Sequence, residues 1–387
     1  MMKEISQELF DYTTRIFRQL HMYPEIGFEL PRTVALVGAE LDALGIAHTD
    51  RYGKCSVVAQ IGQRQDLPTL AIRADMDALP VHETVDVPYK SRIDGAMHAC
   101  GHDSHTAILL TVAKILKSRE EELPCNVRLL FQPSEEGAVS GAKMMTDNGC
   151  LEGVDAVICL HCEESIDSGT LGVQFGPCMA ACVPLCLKFH GITSHATIPE
   201  KGVDAIAMAV ESYGLLKAMV KEEAEASQQP YIWSVGVFQG GEVHNVIADL
   251  CTQYISFRFY DEEFAERVHK KTERIINEIA AQYGGKAELH WHMSCPPVNN
   301  DISLAKQMCA VAEDLGVKMT IMQPKKSSED FSWFAAQKPG MLFRYGIHND
   351  TNGCVAAAHR PDFKVDEEAM KTAILAFVNF VMQYHGQ

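Results

Sequence analysis

The sequence predicts an α/β protein whose mostly parallel sheet is interrupted by a smaller, inserted α+β domain of ferredoxin-like type. Three observations carry this. The chain has 387 residues, more than one hydrophobic core usually serves. Its first part alternates short apolar runs with helical patterns. Its middle follows a different order, strand–helix–strand–strand–helix–strand.

The elements follow in turn. "MMKEISQELFDYTTRIF", residues 1–17, has amphipathic helical spacing and lacks the apolar stretch and cleavage site of a signal peptide. "CSVVAQIG" (55–62), "TLAIRAD" (69–75), "NVRLLFQ" (126–132) and "DAVICLH" (155–161) are near-continuous apolar runs. Such runs fit strands buried on both faces of a parallel sheet. "HTAILLTVAKILKSREEE" (105–122) has helical spacing. From Pro184 the pattern becomes strand "PLCLKFHG", helix 203–226, strands "YIWSVGVFQ" and "DLCTQYISFRFYD", helix 262–283 and strand "KAELHWHMS". That is the split βαβ order of a ferredoxin-like domain. "CPPVNND" (295–301) is a natural return linker, and the remainder is α/β again. The expected boundaries are 1–183 and 296–387 for the interrupted domain and 184–295 for the insert.

Composition excludes some roles. Lys plus Arg total 34 against 51 Asp plus Glu, a formal net charge of −17. A chain this acidic is a poor partner for nucleic acid or an anionic membrane. No apolar run approaches the ~20 residues a bilayer needs. A cytoplasmic location is expected. The thirteen cysteines are odd in number and lack a framework spacing, which favours reduced thiols. "CLHC" (159–162) has redox-motif spacing, but it closes a strand and does not open a helix.

Four groups of chemistry-bearing residues recur, three of them near the carboxyl ends of expected strands, where open α/β sheets bind ligands. Asp75 and Asp77 follow "TLAIRA". Taken alone they are an ordinary solvated turn. They also suit a metal-facing carboxylate beside one that orients a histidine. Cys100 and His102, in "MHACGHDSHTA" (97–107), enter a helix whose expected N-cap is Asp103 or Ser104. A helix N-terminus and a nearby cation would lower the thiol pKa, and a thiolate with an imidazole suits zinc or a similar metal. The plain alternative is a small buried Cys100, with His98 and His105 as satisfied core histidines. A Cys–His nucleophilic dyad is a third reading, though it leaves the distant acids without a role. Glu135 and Glu136 in "PSEEG" are either a solvated pair or a ligand beside a general base. His161 ends "ICLH". His359, in "AAAHRPDF", is a lone late histidine.

An ordered series of motifs, "HMYPEIGFEL", "RADMDALP", "MHACGHDSHTA", "FQPSEEGAVSGAKMM", "VDAVICLH", "GITSHATIP", "GGEVHNVIAD", "SSEDFSWF" and "AHRPDF", resembles the hippurate hydrolase and auxin-conjugate amidohydrolase family. That family belongs to a wider clan of dinuclear metallo-aminoacylases and carboxypeptidases. The likeness runs from His21 to Asp366. It implies a metallopeptidase-like catalytic domain with an inserted lid that forms a homodimer. It implies two divalent ions per subunit, of Zn, Mn, Ni or Co, held by Cys100, His102, Glu136, His161 and His359. Glu135 would be the general base, and Asp77 would match a catalytic-site aspartate. His195 would stabilise the oxyanion, in one view from a partner subunit. Asn245 and Arg258 would bind the substrate carboxylate. Three departures all lie in the insert: Thr197 and Glu200 replace the usual "HAA" and "PH" residues, Ala248 replaces a proline, and "ISFRFYD" lacks a Gly-Thr pair before Arg258.

The implied activity is metal-dependent hydrolysis of a small N-acyl L-amino acid, by an activated water with Glu135 as base. Alternatives within the clan are a dipeptidase, a carboxypeptidase or an N-acetyl-diaminopimelate-type deacetylase. Outside it stand a cysteine hydrolase using Cys100 and a metal-stabilised binding protein without turnover. The last has no use for a spare carboxylate beside a ligand.

Overall fold

The structure is a computed structural model and describes residues 1–386. The chain divides into two compact units. The first comprises 1–178, 299–324 and 330–387, and the second 179–298 with 325–329.

The first unit contributes α1 (Gln7–Met22), α2 (Pro31–Ala43), β1 (His48–Thr49), β2 (Val57–Ile61), β3 (Thr69–Asp75), α3 (His102–Ser118), β4 (Asn126–Gln132), α4 (Gly141–Asp147), β5 (Ala156–Asp167) and β6 (Leu171–Val173). The chain leaves through β7 (Gly176–Met179). The second unit holds β8 (Ala181–His190), α5 (Ala205–Ser227), β9 (Ile232–Gly240), β10 (Leu250–Phe259), α6 (Glu262–Tyr283) and β11 (Lys286–Trp291). Return is through β12 (Val298–Asn300) to α7 (Ile302–Leu315), β13 (Met319–Ile321), α8 (Ser332–Ala335), β14 (Gly340–His348) and α9 (Ala369–Met382).

An eight-stranded sheet in the order β1-β2-β4-β3-β5-β14-β6-β13 forms the first unit. Its centre is parallel: β4, β3, β5 and β14 all run the same way. Pairings β1–β2, β2–β4 and β14–β6 are antiparallel. Every residue of β3 is buried, and Leu70, Ile72, Leu129 and Ile158 join the helices α3 and α9 in one apolar core. Burial on both faces is why these strands are largely apolar instead of alternating.

The second unit is a four-stranded antiparallel sheet in the order β11-β8-β10-β9. Here burial alternates along β8, with Val183, Leu185, Leu187 and Phe189 inward, as a sheet covered on one face requires. The amphipathic α6 is capped by Asp261, whose side chain accepts from the Phe264 amide. Met179 opens this unit, ahead of Pro184. Segment 325–329 joins it because the Ala180 amide donates to the Lys325 and Ser327 carbonyls.

Candidate metal centre

Three parallel strands bring the acids and histidines to one level. Asp75 pairs with Gln132 and Arg73 with Cys159. Asp75, the Glu135–Glu136 turn after β4 and His161 therefore stand together at the carboxyl side of the sheet. His161 lies inside a strand that continues to Asp167, beyond the end that its sequence implies.

Two histidines have one ring nitrogen held by a backbone carbonyl. His102 Nδ1 donates to the Asp77 carbonyl at 2.8 Å, and His161 Nδ1 donates to the Cys162 carbonyl at 2.7 Å. This commits each Nδ1 as a donor and leaves each Nε2 as the nitrogen free to face the site. His161 Nε2 faces Cys100 Sγ at 3.4 Å. His102 Nε2 is buried without a hydrogen-bond partner. Glu136 Oε1 stands 3.0 Å from His359 Nε2. Donor atoms of Cys100, His102 and His161 lie within 4.8 Å of one another, as do those of Cys100, Glu136 and His359, and those of His102, Glu135 and Glu136. Cys100 belongs to two of these groups.

Asp75 and Asp77 act behind this layer. Asp77 accepts the Glu135 and Glu136 amides at 2.9 and 3.1 Å. Asp75 accepts from Arg73 Nη1 at 2.6 Å and lies 2.6 Å from His105 Nδ1. His105 Nε2 in turn accepts the Cys162 amide at 3.0 Å. Both of its ring nitrogens are thus used, and although donor atoms of Asp75, His102 and His105 also cluster, His105 supports the site and does not line it. Ser134 and His359 hold left-handed backbone, with φ of 51° and 67°, conformations that non-glycine residues keep only where surroundings enforce them.

The electrostatics suit a cation. Burial alone would lower the pKa of His102, yet Asp75, Asp77 and Glu136 push it up to about 10. Burial and then Arg344 keep His161 neutral, well below the usual range. Asp75 stays far below the usual carboxylate range despite its burial, because Arg73, His102 and His105 surround it. For the Cys100 thiol the expected lowering needs the cation as well as the helix start: burial and then the Glu136 carboxylate by themselves push its pKa well above the ordinary value. Without a cation it holds its proton; a divalent ion would remove it. The cap differs as well. Gly101, in left-handed backbone, is the N-cap of α3 with no side-chain cap bond. Asp103 instead faces His21 at 2.6 Å and accepts the Ser104 amide. The expected satisfaction of His98 is also absent: it is buried with both ring nitrogens unpartnered.

Residues 71–383 match the model of peptidase family M20/M25/M40. The chain belongs to this family. It is 35% identical over 355 residues to N-acetyl-L-cysteine deacetylase of Bacillus subtilis, covering 92% of this chain and 84% of the relative. It is 35% identical over 369 residues to IAA-amino acid hydrolase ILR1-like 4 of Arabidopsis thaliana, covering 94% and 83%. The crystal structure of the Bacillus subtilis YXEP protein, described as a dinuclear metal binding peptidase from the M20 family, superposes with a TM-score of 0.85. It is 31% identical and covers 97% of this chain and 98% of that one. The chain is accordingly a metal-dependent amide hydrolase of the M20 type.

In this M20 member, the candidates of the second unit form no comparable cluster. His195 is exposed, with Nδ1 2.8 Å from Thr197 Oγ1. It bridges Val246, and the Ala196 amide donates to the Asn245 carbonyl, so His195 and Asn245 share one ladder end. Arg258 is elsewhere. It pairs with Cys182 near the opposite end of β10 and donates to Ser328 Oγ at 3.3 Å. Leu250 to Arg258 along β10 spans roughly 27 Å at about 3.4 Å per residue. One small substrate cannot touch both ends.

Sequence reasoning missed Arg73 and Asp330. Arg73 is 1% exposed, and its guanidinium reaches Asp75, Gln132 and Asp330. The available signal was an arginine inside the apolar run "TLAIRAD": a strand with both faces buried accepts such a charge only with partners.

Proposed function

We propose that this M20 enzyme hydrolyses the amide bond of small N-acyl L-amino acids, using Glu135 as general base. The supporting observation is the Glu135–Glu136 turn, hung by two amides from Asp77 beside a Cys100–His102–His161–His359 donor set. We assign the metal ligands as Cys100, His102, Glu136, His161 and His359, holding two divalent ions. When bound, those ions polarise the acyl carbonyl and lower the pKa of water. Glu135 takes the proton from the attacking water and returns it to the departing amine. Asp77 keeps Glu135 in place through its amide. His105, pinned by Asp75, braces the Cys162 backbone that orients His161.

His195 donates to the developing oxyanion, and Asn245 and Arg258 hold the substrate carboxylate, Arg through its bidentate fork. The separation of Arg258 from the His195–Asn245 end supports a homodimer in which two copies complete each site. The edge strand β9 offers the surface. Val237 and Phe238 on it, and Val210 and Tyr213 on α5, are exposed apolar side chains, and an open edge with an apolar flank is a pairing surface. Phe238→Glu should convert the dimer to monomer by light scattering; a wild-type monomer sinks the pairing. We place the enzyme in the cytoplasm, where its thirteen cysteines stay thiols. No helix among the described residues is long and apolar enough to cross a membrane.

The deciding experiment is a panel of N-acetyl, N-benzoyl, N-succinyl and indole-acetyl amino acids with metal-reconstituted protein, quantifying released amine. Turnover of N-acyl amino acids is expected. Turnover of free dipeptides alone would turn the assignment to a dipeptidase. Full activity after chelation, lost on thiol alkylation, would turn it to a cysteine hydrolase.

A further inference from the structure

The loop that carries Glu135 and Glu136 leaves β4 at Gln132 and enters α4 at Gly141. Both of its stems end on one carboxylate. Gln132 Nε2, on the first stem, donates to the two oxygens of Asp330 at 2.8 and 2.9 Å. Ser140 Oγ, on the second, donates to Asp330 Oδ2 at 2.6 Å, and the Ala142 amide reaches the same oxygen at 3.3 Å. Arg73 Nη2 donates to Oδ1 at 3.1 Å and Arg73 Nε to Gln132 Oε1 at 2.7 Å. Asp330 is 5% exposed.

The stems are drawn together tightly. The Gly141 amide donates to the Ser134 carbonyl at 3.0 Å. A Cβ at Gly141 would lie 1.7 Å from the Pro133 carbonyl oxygen, so only glycine permits this approach. Ser134, in left-handed backbone, donates its hydroxyl to the Val139 carbonyl at 2.8 Å. Asp77 ties the loop's far side through the Glu135 and Glu136 amides.

We propose that Asp330 is a positioning residue, a buried clamp that closes the base of this loop and so sets where Glu135 and Glu136 stand. It rests on the assignment of Glu135 and Glu136 above. The chemistry demands a carboxylate. Donors converge on it from three segments, and an ionised carboxylate is acceptor-only with about four lone-pair sites. An asparagine of the same shape would turn an N–H₂ toward the Ser140 hydroxyl and Ala142 amide or toward Arg73 and Gln132. Arg73 makes the clamp continuous with Asp75, so the loop and the brace behind His105 are fixed by one guanidinium.

Ser140→Ala tests this while leaving the Arg73–Asp330 pair intact. The first readout needs no metal or turnover. In metal-free protein, amide exchange over residues 133–142 should quicken about tenfold or more, with second-unit amides unchanged. In metal-loaded enzyme, kcat on an N-acyl amino acid should fall roughly fivefold or more with KM within about twofold, the signature of a mis-set reacting group. Ser140→Thr, which keeps the hydroxyl, should recover most of both losses. Asp330→Asn should exceed Ser140→Ala in both readouts; if it does not fold, the Ser140 pair decides. Wild-type exchange and kcat in Ser140→Ala overturn the clamp, as does a loss that Ser140→Thr leaves uncorrected. A Glu135→Gln enzyme that still turns over would instead overturn the base assignment, and the exchange result would stand apart from it.

Discussion

The two units hold their candidate residues in opposite ways. In the first, Asp75, Asp77, His102 and His105 are almost wholly buried, and each is fixed by a backbone or ionic partner. In the second, His195 is exposed and Arg258 and Asn245 stand at separate ends of one sheet. The contrast teaches where preorganisation is needed. Ligands and a general base must hold sub-ångström geometry through every turnover, which buried networks supply. Exposed groups, held by fewer partners, are freer to adjust their position.

The largest expected effect breaks the first half of this comparison at its most active point. Glu135→Gln should lower kcat by about 10³-fold or more, within the range of general-base losses. Bound metal by elemental analysis and the unfolding midpoint should match wild type. A variant that keeps more than a few per cent of kcat sinks the assignment of Glu135.

Asp75→Ala attacks the bracing instead. It would strand Arg73 near 1% exposure with one carboxylate gone and leave His105 Nδ1 without its acceptor. Losing one partner of a buried ion pair costs about 3–5 kcal/mol. Urea unfolding of metal-free protein should show that loss. A change under about 1 kcal/mol would mean that Asp330 and Gln132 suffice for Arg73.

The fold was legible because burial leaves a pattern. β3 runs over 69–75 and β4 over 126–132, as their apolar composition implies, and the alternation along β8 marks a sheet with one open face. Turn chemistry was less legible. Asp103 looks like a helix cap, yet Gly101 serves because Asp103 is drawn to His21 across 82 residues of chain. The strand-end rule puts Asp75 and the Glu135–Glu136 turn at one end of the sheet, which the pairing of Asp75 with Gln132 matches. It could not bring in His359, whose approach to Glu136 depends on a left-handed backbone that local sequence does not announce. Asp330 was hidden for a similar reason: its partners lie 188 to 257 residues away, and no periodicity reports such pairs.

A pH dependence sharpens the contrast further. His21 lies between Asp103 at 2.6 Å and Glu83 at 3.1 Å. Burial alone would lower its pKa from 6.5, but the two carboxylates hold it at about 9. A group raised in the folded state stabilises fully below its unfolded pKa, and that contribution fades as pH rises through the folded value. His21 should therefore contribute on the order of 3 kcal/mol below about pH 6.5, lost by about pH 9 to 10. The gap in unfolding free energy between wild type and His21→Gln should shrink by that amount between pH 6 and pH 10. An unchanged gap would show that His21 is not an imidazolium.

His195→Ala gives the smallest change in stability and the clearest separation of the two halves. The side chain is exposed and its near neighbour is Thr197, so the folded state should lose no more than about 0.5 kcal/mol. If it donates to the oxyanion, kcat should fall by about 10²- to 10³-fold while KM moves little. Mixing His195→Ala with a Glu135→Gln chain then decides whose site it serves. Each variant alone lacks one group in every site. If His195 works in a partner's site, mixed dimers contain one site with both groups, and activity returns to as much as about a quarter of wild type on random exchange. If it works in its own chain, each mixed dimer has two sites with one defect apiece, and mixing restores nothing.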